Sequence, residues 1–219
     1  MTQLSLVGGT YQTTISVQDC VNLYPEVAEQ GGRNKGSLRG APGLSTFSSP
    51  GSGPIRGFHE MDGVGYVVSG QSLYSFSASG AAVSLGAIVG SVSVGMAHNI
   101  ASQLMITTGS TAYIYSVATG LVEITDEDFP GADVVYYMDT YFVVNVPNTQ
   151  EFAISNSGSG IDWTATDFAS KEGAPNNLVT LIPNHLDLFL FGEKTYEVWR
   201  NTGDSDFAFE RSPGTFQER

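Results

Sequence analysis

An all-β chain organised as a β-propeller with an extended N-terminal arm is what this sequence predicts, and three observations carry the prediction. Glycine is abundant (26 residues) and turn-forming dipeptides recur along the whole chain. No long segment shows a helical apolar period, whereas short alternating segments rich in Val, Ile, Tyr and Phe are frequent. Above all, these segments repeat at a spacing of about forty residues, the length of one propeller blade.

Residues 1–53 read as the arm. Gly8-Gly9, Gly31-Gly32, Gly36, Gly40, Pro42-Gly43 and the run SSPGSGP at 48–54 interrupt any regular element. Val21–Pro25 and Leu44–Phe47 are expected to be short extended segments within it. Arg33, Lys35, Arg39 and Arg56 place nearly half of the 9 basic residues in or beside the arm.

Residues 54–219 read as blades. Tyr66–Val68 and Leu73–Phe76 flank a turn at Ser69–Ser72; Leu104–Thr107 pairs with Ala112–Tyr115 and Tyr141–Val144 with Glu151–Ile154. A fourth hairpin joins Leu188–Phe191 to Thr195–Trp199 through Gly192-Glu193-Lys194. Tyr74, Tyr113 and Phe152 are each 39 positions apart, and Tyr196 follows 44 further on. A strand-like stretch precedes each hairpin (Ile55–Phe58, Val92–Met96, Val134–Tyr137, Leu178–Ile182), and Val83–Ile88 and Val122–Thr125 follow the first two. A β-sandwich would explain the alternation but not the period. About four blades are visible, which leaves open a closed four-blade ring or part of a larger propeller. Bare edge strands are avoided by natural sheets, and SPGTFQER shows no obvious closing strand, so the larger ring is expected.

Charge narrows function. The chain has 22 acidic and 9 basic residues, and no Lys or Arg lies between Gly57 and Ser170. That stretch carries acids from Glu60 to Asp167 and cannot neutralise phosphates, which excludes tight nucleic-acid binding there. It serves either solubility or a duct along which DNA slides without sticking. Asp126-Glu127-Asp128 with Asp133, and Asp204-Ser205-Asp206, lack the spacing of a calcium loop and read as solvated turns. His59, His98 and His185 fall in different units without metal-ligand spacing and read as turn or edge histidines. Cys20 is the single cysteine and reads as a small buried hydrophobe. The N-terminus has no basic-then-apolar leader pattern, and no apolar run reaches the roughly 18 residues of a membrane span. Walker-type GK[ST] and G-x-S-x-G motifs are absent, and no arginine stands between 57 and 199 to hold a sialidase-type substrate. Neither a cofactor nor a catalytic residue is assigned. The alternative kept open is a carbohydrate-binding or glycosidase-like propeller, with Tyr136-Tyr137, Tyr141, Trp163 and Trp199 as a stacking platform.

One segment carries a signature. TDFASKEGAPNNLVTL at 166–181 is followed by FGEKTYEVWRNTGDSDFAFERSPGTFQER at 191–219. Phe191-Gly192, Glu197-Val198-Trp199, Asn201, Gly203, Phe207, Phe209, Arg211 and Pro213-Gly214, with VNLYPE and RGAPGL near the other end, resemble the packaged-DNA-stabilization or tail-hub ("nozzle") proteins of short-tailed bacteriophages. The resemblance implies a β-propeller in the virion tail, made in the host cytoplasm and assembled as a ring of identical subunits, a hexamer, below the portal and head–tail adaptor. It implies partners in that adaptor, a tail needle or plug, and tail spikes or fibres, with DNA passing through but not bound tightly, and no membrane. Under it Arg33, Lys35, Arg39 and Arg211 become candidate subunit or adaptor contacts, and Asp126, Glu127, Asp128 and Asp133 candidate channel-facing acids. Arg211 has a second reading, a turn salt bridge to Glu210 or Glu218. Family chains are longer than this one.

Overall fold

The computed structural model describes residues 22–26 and 37–218. Among them there are strands and turns and no helix. The chain divides into two units, residues 1–46 and 47–219. In the first, β1 (Leu23–Glu26) runs antiparallel to β2 (Ser37–Gly40), with Leu23 opposite Gly40. The expected extended segment at Val21–Pro25 thus corresponds to β1. That at Leu44–Phe47 forms no strand: Leu44 is fully exposed and no neighbouring strand completes its backbone hydrogen bonds. Cys20, Arg33 and Lys35 lie outside the described residues.

The second unit begins before the expected boundary at 53. Phe47 packs edge-on against Phe76 at 5.9 Å, the Ser48 hydroxyl donates to the Gly80 carbonyl at 2.8 Å, and the Ser69 hydroxyl donates to the Gly53 carbonyl at 3.1 Å. These contacts tie residues 47–53 to the first sheet.

Four antiparallel sheets follow in chain order. The first blade is β3 (Ile55–Met61), β4 (Val64–Ser69), β5 (Ser72–Phe76) and β6 (Ala82–Ala87). The second is β7 (Gly95–His98), β8 (Leu104–Thr107), β9 (Ala112–Ser116) and β10 (Gly120–Glu123). The third is β11 (Val135–Met138), β12 (Tyr141–Asn145), β13 (Glu151–Ser155) and β14 (Trp163–Ser170). The fourth is β15 (Leu178–Asn184), β16 (Asp187–Gly192), β17 (Thr195–Asn201) and β18 (Phe209–Arg211), with β19 (Gln217–Glu218) also paired to β17. Each sheet is a meander of consecutive strands, and the first strand of each packs on that of the next: β3 on β7, β7 on β11, β11 on β15. This is the propeller arrangement the repeat predicts. The tail SPGTFQER, expected to hold no strand, contributes β19, with Thr195 opposite Glu218.

The meander is set locally by turn chemistry. Between the first two strands of every blade one non-glycine residue takes the left-handed conformation: Asp62 (φ 54°), Ser102 (56°), Asp139 (56°) and His185 (56°). Short polar side chains tolerate that region, and such turns match the twist of a hairpin.

Cores form between blades rather than within them. Met61, Tyr66, Val68, Leu73 and Ile88 of the first meet Leu104, Ile106, Tyr113 and Tyr115 of the second. Met105, Ile114 and Ile124 of the second meet Val135, Phe142, Val144 and Trp163 of the third. Met138, Val143, Phe152 and Ile154 of the third meet Leu178, Leu181, Leu188, Leu190 and Trp199 of the fourth. Alternate residues of one strand serve two interfaces: Phe142 and Val144 face the second blade while Val143 faces the fourth.

Arg56 is not the arm cation its position suggested. It is buried, and its guanidinium donates to the carbonyls of Val92 (2.6 Å), Gly70 (2.9 Å), Val89 (2.9 Å) and Ile88 (3.3 Å). Five donors in a rigid fork suit this task, since the 88–92 connection between the first two blades turns its carbonyls inward and needs partners for them. Arg56→Met leaves those carbonyls unsatisfied and is expected to cost about 2–4 kcal/mol, read as a lowered urea midpoint with unchanged slope.

Candidate functional site

The signature residues converge on one buried network in the fourth blade. Glu197 of β17 is fully buried; its Oε1 accepts the Gly173 N–H, and its Oε2 accepts the Trp199 indole N–H at 3.4 Å. The Arg211 Nε lies 3.2 Å from the same Oε2 as an ion pair, without the alignment of a hydrogen bond. Lys171, also fully buried, donates from Nζ to the Ala174 carbonyl and the Thr195 hydroxyl, both at 3.0 Å. Burial holds the Lys171 ammonium below its ordinary pKa, and the Glu197 carboxylate opposes that shift. Gly192 is required beside them, because a Cβ there would run into the Asn176 amide and the Lys171 side chain. On the same face of the sheet as Glu197, Trp199 meets Phe152 of the third blade edge-on at 5.2 Å, with Phe207 and Phe209 also against that ring. The motif therefore builds a lock: it folds the 171–176 loop onto β17 and anchors the fourth blade to the third.

Arg211 accordingly pairs with Glu197, not with Glu210 or Glu218, and its side chain stays one-third exposed. Arg39 lies in β2 of the first unit. The four candidate acids are not brought together. Asp126, Glu127 and Asp128 lie on the connection from β10 to β11, where Asp126 accepts the Trp163 N–H at 2.9 Å and the Asp128 N–H at 3.0 Å. Those two bonds depress the Asp126 pKa. Asp133 instead precedes β11, with its carbonyl accepting the Thr107 hydroxyl at 3.2 Å and its N–H bound by the Asn145 side chain at 3.1 Å. Asp204 likewise caps its own turn, accepting the Asp206 N–H at 2.9 Å.

Burial takes the two tryptophans out of the sugar platform, while Tyr136, Tyr137 and Tyr141 stay half-buried. Trp163 (5% exposed) and Trp199 (6% exposed) lie inside blade interfaces and offer no face for stacking. Two shallow hollows occur on the second unit. One of about 110 Å³ lies between Asp128, Glu151, Trp163 and Asp167, and one of about 250 Å³ between Met96, Asp133 and Tyr136. Both fall below the volume usual for a small-molecule site.

His59 and His98 were expected to be unrelated turn or edge residues. They meet instead across the first two blades, His59 Nε2 lying 2.7 Å from His98 Nδ1. Their separation of 39 positions is the blade period, so the repeat itself held the clue. His185 does sit in a turn, at φ 56°.

A family profile described as "Bacteriophage P22 Gp10, beta-propeller" matches residues 2–218. The chain belongs to this phage-stabilisation family. Membership gives this Gp10-family chain a structural role in a phage, in the stabilisation of packaged DNA. No curated protein matches it. Among solved structures it is similar to the computationally designed Ika4 protein (10% identity, TM-score 0.53, 72% of this chain and 98% of that one). It is also similar to the Neurospora crassa Pan2 WD40 domain (14% identity, TM-score 0.51, 74% and 52%) and to virginiamycin B lyase from Staphylococcus aureus (9% identity, TM-score 0.55, 88% and 63%). At these identities the likeness shows the fold alone. The chain spans about half the length of the Pan2 chain and 63% of the lyase.

Two outcomes test this geometry. Glu197→Ala leaves Lys171 and Arg211 without their carboxylate and is expected to cost about 3–5 kcal/mol in denaturant unfolding. Burial first, and then the charge of His98, hold the His59 imidazole below its ordinary range, with Glu60 opposing. The unfolded chain then binds the proton more readily than the folded one, so stability is full above about pH 6.5 and falls as pH drops below it. The melting temperature of His59→Gln should show a flatter dependence than wild type across that window.

Proposed function

We propose that this chain is a tail-hub, or nozzle, subunit that assembles as a ring beneath the portal and its adaptor, extends the DNA exit channel and helps retain the packaged genome. The reading is carried by the family match over residues 2–218. It is supported by the uncompensated acids between Gly57 and Ser170, since phosphates meet no cation on that stretch. A wall of like charge lets DNA leave without sticking, while retention falls to the plug the ring carries. In this reading the ring is a hexamer of the virion tail, made in the host cytoplasm, and needs no cofactor and no catalysis. Its partners are the head–tail adaptor, the tail needle or plug, and tail spikes or fibres, met through the cationic arm residues Arg33, Lys35 and Arg39 and through the exposed part of Arg211.

Electron microscopy of intact particles is expected to place the protein as a six-fold ring between adaptor and tail tip; absence of the protein from purified particles refutes the role. In gel-shift measurements at low salt the purified chain is expected to leave duplex DNA unretarded. Retardation at micromolar protein removes the sliding-duct reading. A glycan array and a glycosidase assay separate it from a carbohydrate-directed propeller, with no signal expected in either.

A further inference from the structure

The connection from β14 to β15 brings an amine and a carboxamide onto one hydroxyl. Lys171 opens that connection and Asn176 lies near its end. The Lys171 side chain is fully buried, and its Nζ donates to the Thr195 hydroxyl at 3.0 Å. The same Thr195 Oγ1 lies 3.1 Å from Asn176 Nδ2 and 3.2 Å from Asn176 Oδ1, so amine and amide meet at one atom. Gly192 shows how closely they sit, because a single Cβ there would touch Asn176 Oδ1 and both Cε and Nζ of Lys171. The Lys171 Nζ also donates to the Ala174 carbonyl at 3.0 Å, and that carbonyl accepts the Asn176 N–H at 2.8 Å, which folds the six residues into a tight turn.

Each group suits bond formation. A desolvated lysine reacts as the neutral amine, which is a nucleophile, and burial shifts Lys171 that way against the opposing charge of Glu197. Both hydrogen-bond acceptors of Nζ are neutral, an arrangement that suits an amine better than an ammonium ion. Thr195 donates to Asn176 Oδ1, and a donor aimed at a carbonyl oxygen stabilises the charge that develops there under attack. Asn176 is half-buried, which leaves a departing group a way out.

We propose that Lys171 and Asn176 join in an intramolecular isopeptide bond, formed by the folded chain itself. The Lys171 amine attacks Cγ of Asn176, and a new C–N bond forms as the bond from Cγ to Nδ2 breaks. One Nζ proton passes through the Thr195 hydroxyl to Nδ2, which leaves as ammonia; the other stays on the new amide. No oxidant, cofactor or second substrate is consumed. Holding the two groups in one geometry replaces an encounter in solution, and this is what makes so slow a reaction accessible. The product staples the connection between the third and fourth blades, the same loop that Glu197 holds onto β17 through the Gly173 N–H. The inference rests on this loop alone and stands apart from the proposed role in the tail.

Mass spectrometry of the full chain, denatured before measurement, tests it. Wild type is expected to weigh about 17 Da less than its sequence requires, the mass of the ammonia that leaves when the lysine attacks. A glutamyl protease cuts after Glu172, between the joined residues, and fragments 152–172 and 173–193 are expected to stay together as one species. Lys171→Arg and Asn176→Ala are expected to keep the full mass. Should either fail to fold, the Thr195 pair decides: Thr195→Ser retains the relay hydroxyl and the mass loss, while Thr195→Val, folded by circular dichroism, does not show it. A wild-type chain of full sequence mass overturns the proposal. So does a light chain whose two fragments separate, because an imide between Asn176 and Asn177 also releases ammonia but joins no lysine.

Discussion

Burial of sheet faces against the neighbouring blade is the constraint on which the rest depends. A four-stranded meander has two faces, and one alone in water leaves both apolar sides wet. Here nearly all the fully buried large side chains, from Met61 and Leu73 to Phe152, Leu181 and Leu188, belong to clusters shared by two blades. Stability is thus a sum of nearest-neighbour contacts, as in other repeat architectures. It explains why the turns hold fixed left-handed residues and why the connections are pinned by single polar side chains such as Arg56 and Asp126. A shift of either connection would slide one sheet out of register with the next.

The sequence was most legible where it repeats. The four hairpins lie where alternation and spacing place them; in the second and third blades the two central strands are buried on both faces and carry dense Val, Ile, Leu and aromatic runs, while β5 and β16 combine buried with half-buried residues. The outer strands were less visible. Trp163–Ser170 forms the edge of the third blade with mostly exposed, polar residues, so it shows no apolar alternation, and Phe209–Arg211 is only three residues long. Leu44–Phe47 misled in the opposite direction: apolar character without a partner strand makes no sheet.

Charges were read less well than apolar residues, for a physical reason. Sequence gives a cation's presence but not its burial. Of the basic residues singled out beside the arm, Arg56 spends its charge on backbone carbonyls. Lys171, within the signature, is sealed inside the fourth blade. The signature that most resembles the phage proteins is therefore architecture. Glu197, Trp199 and Arg211 hold a loop and a blade in place, so family likeness and blade adhesion share the same side chains. That fits a structural protein whose work is to keep its shape under load.

The contact between Phe152 of the third blade and Trp199 of the fourth samples this constraint most directly. A double-mutant cycle with Phe152→Leu and Trp199→Leu, read by urea unfolding, is predicted to give a coupling energy of about 0.5–1.5 kcal/mol. Strictly additive effects of the two substitutions would contradict the claim that the blades are held together by their facing side chains.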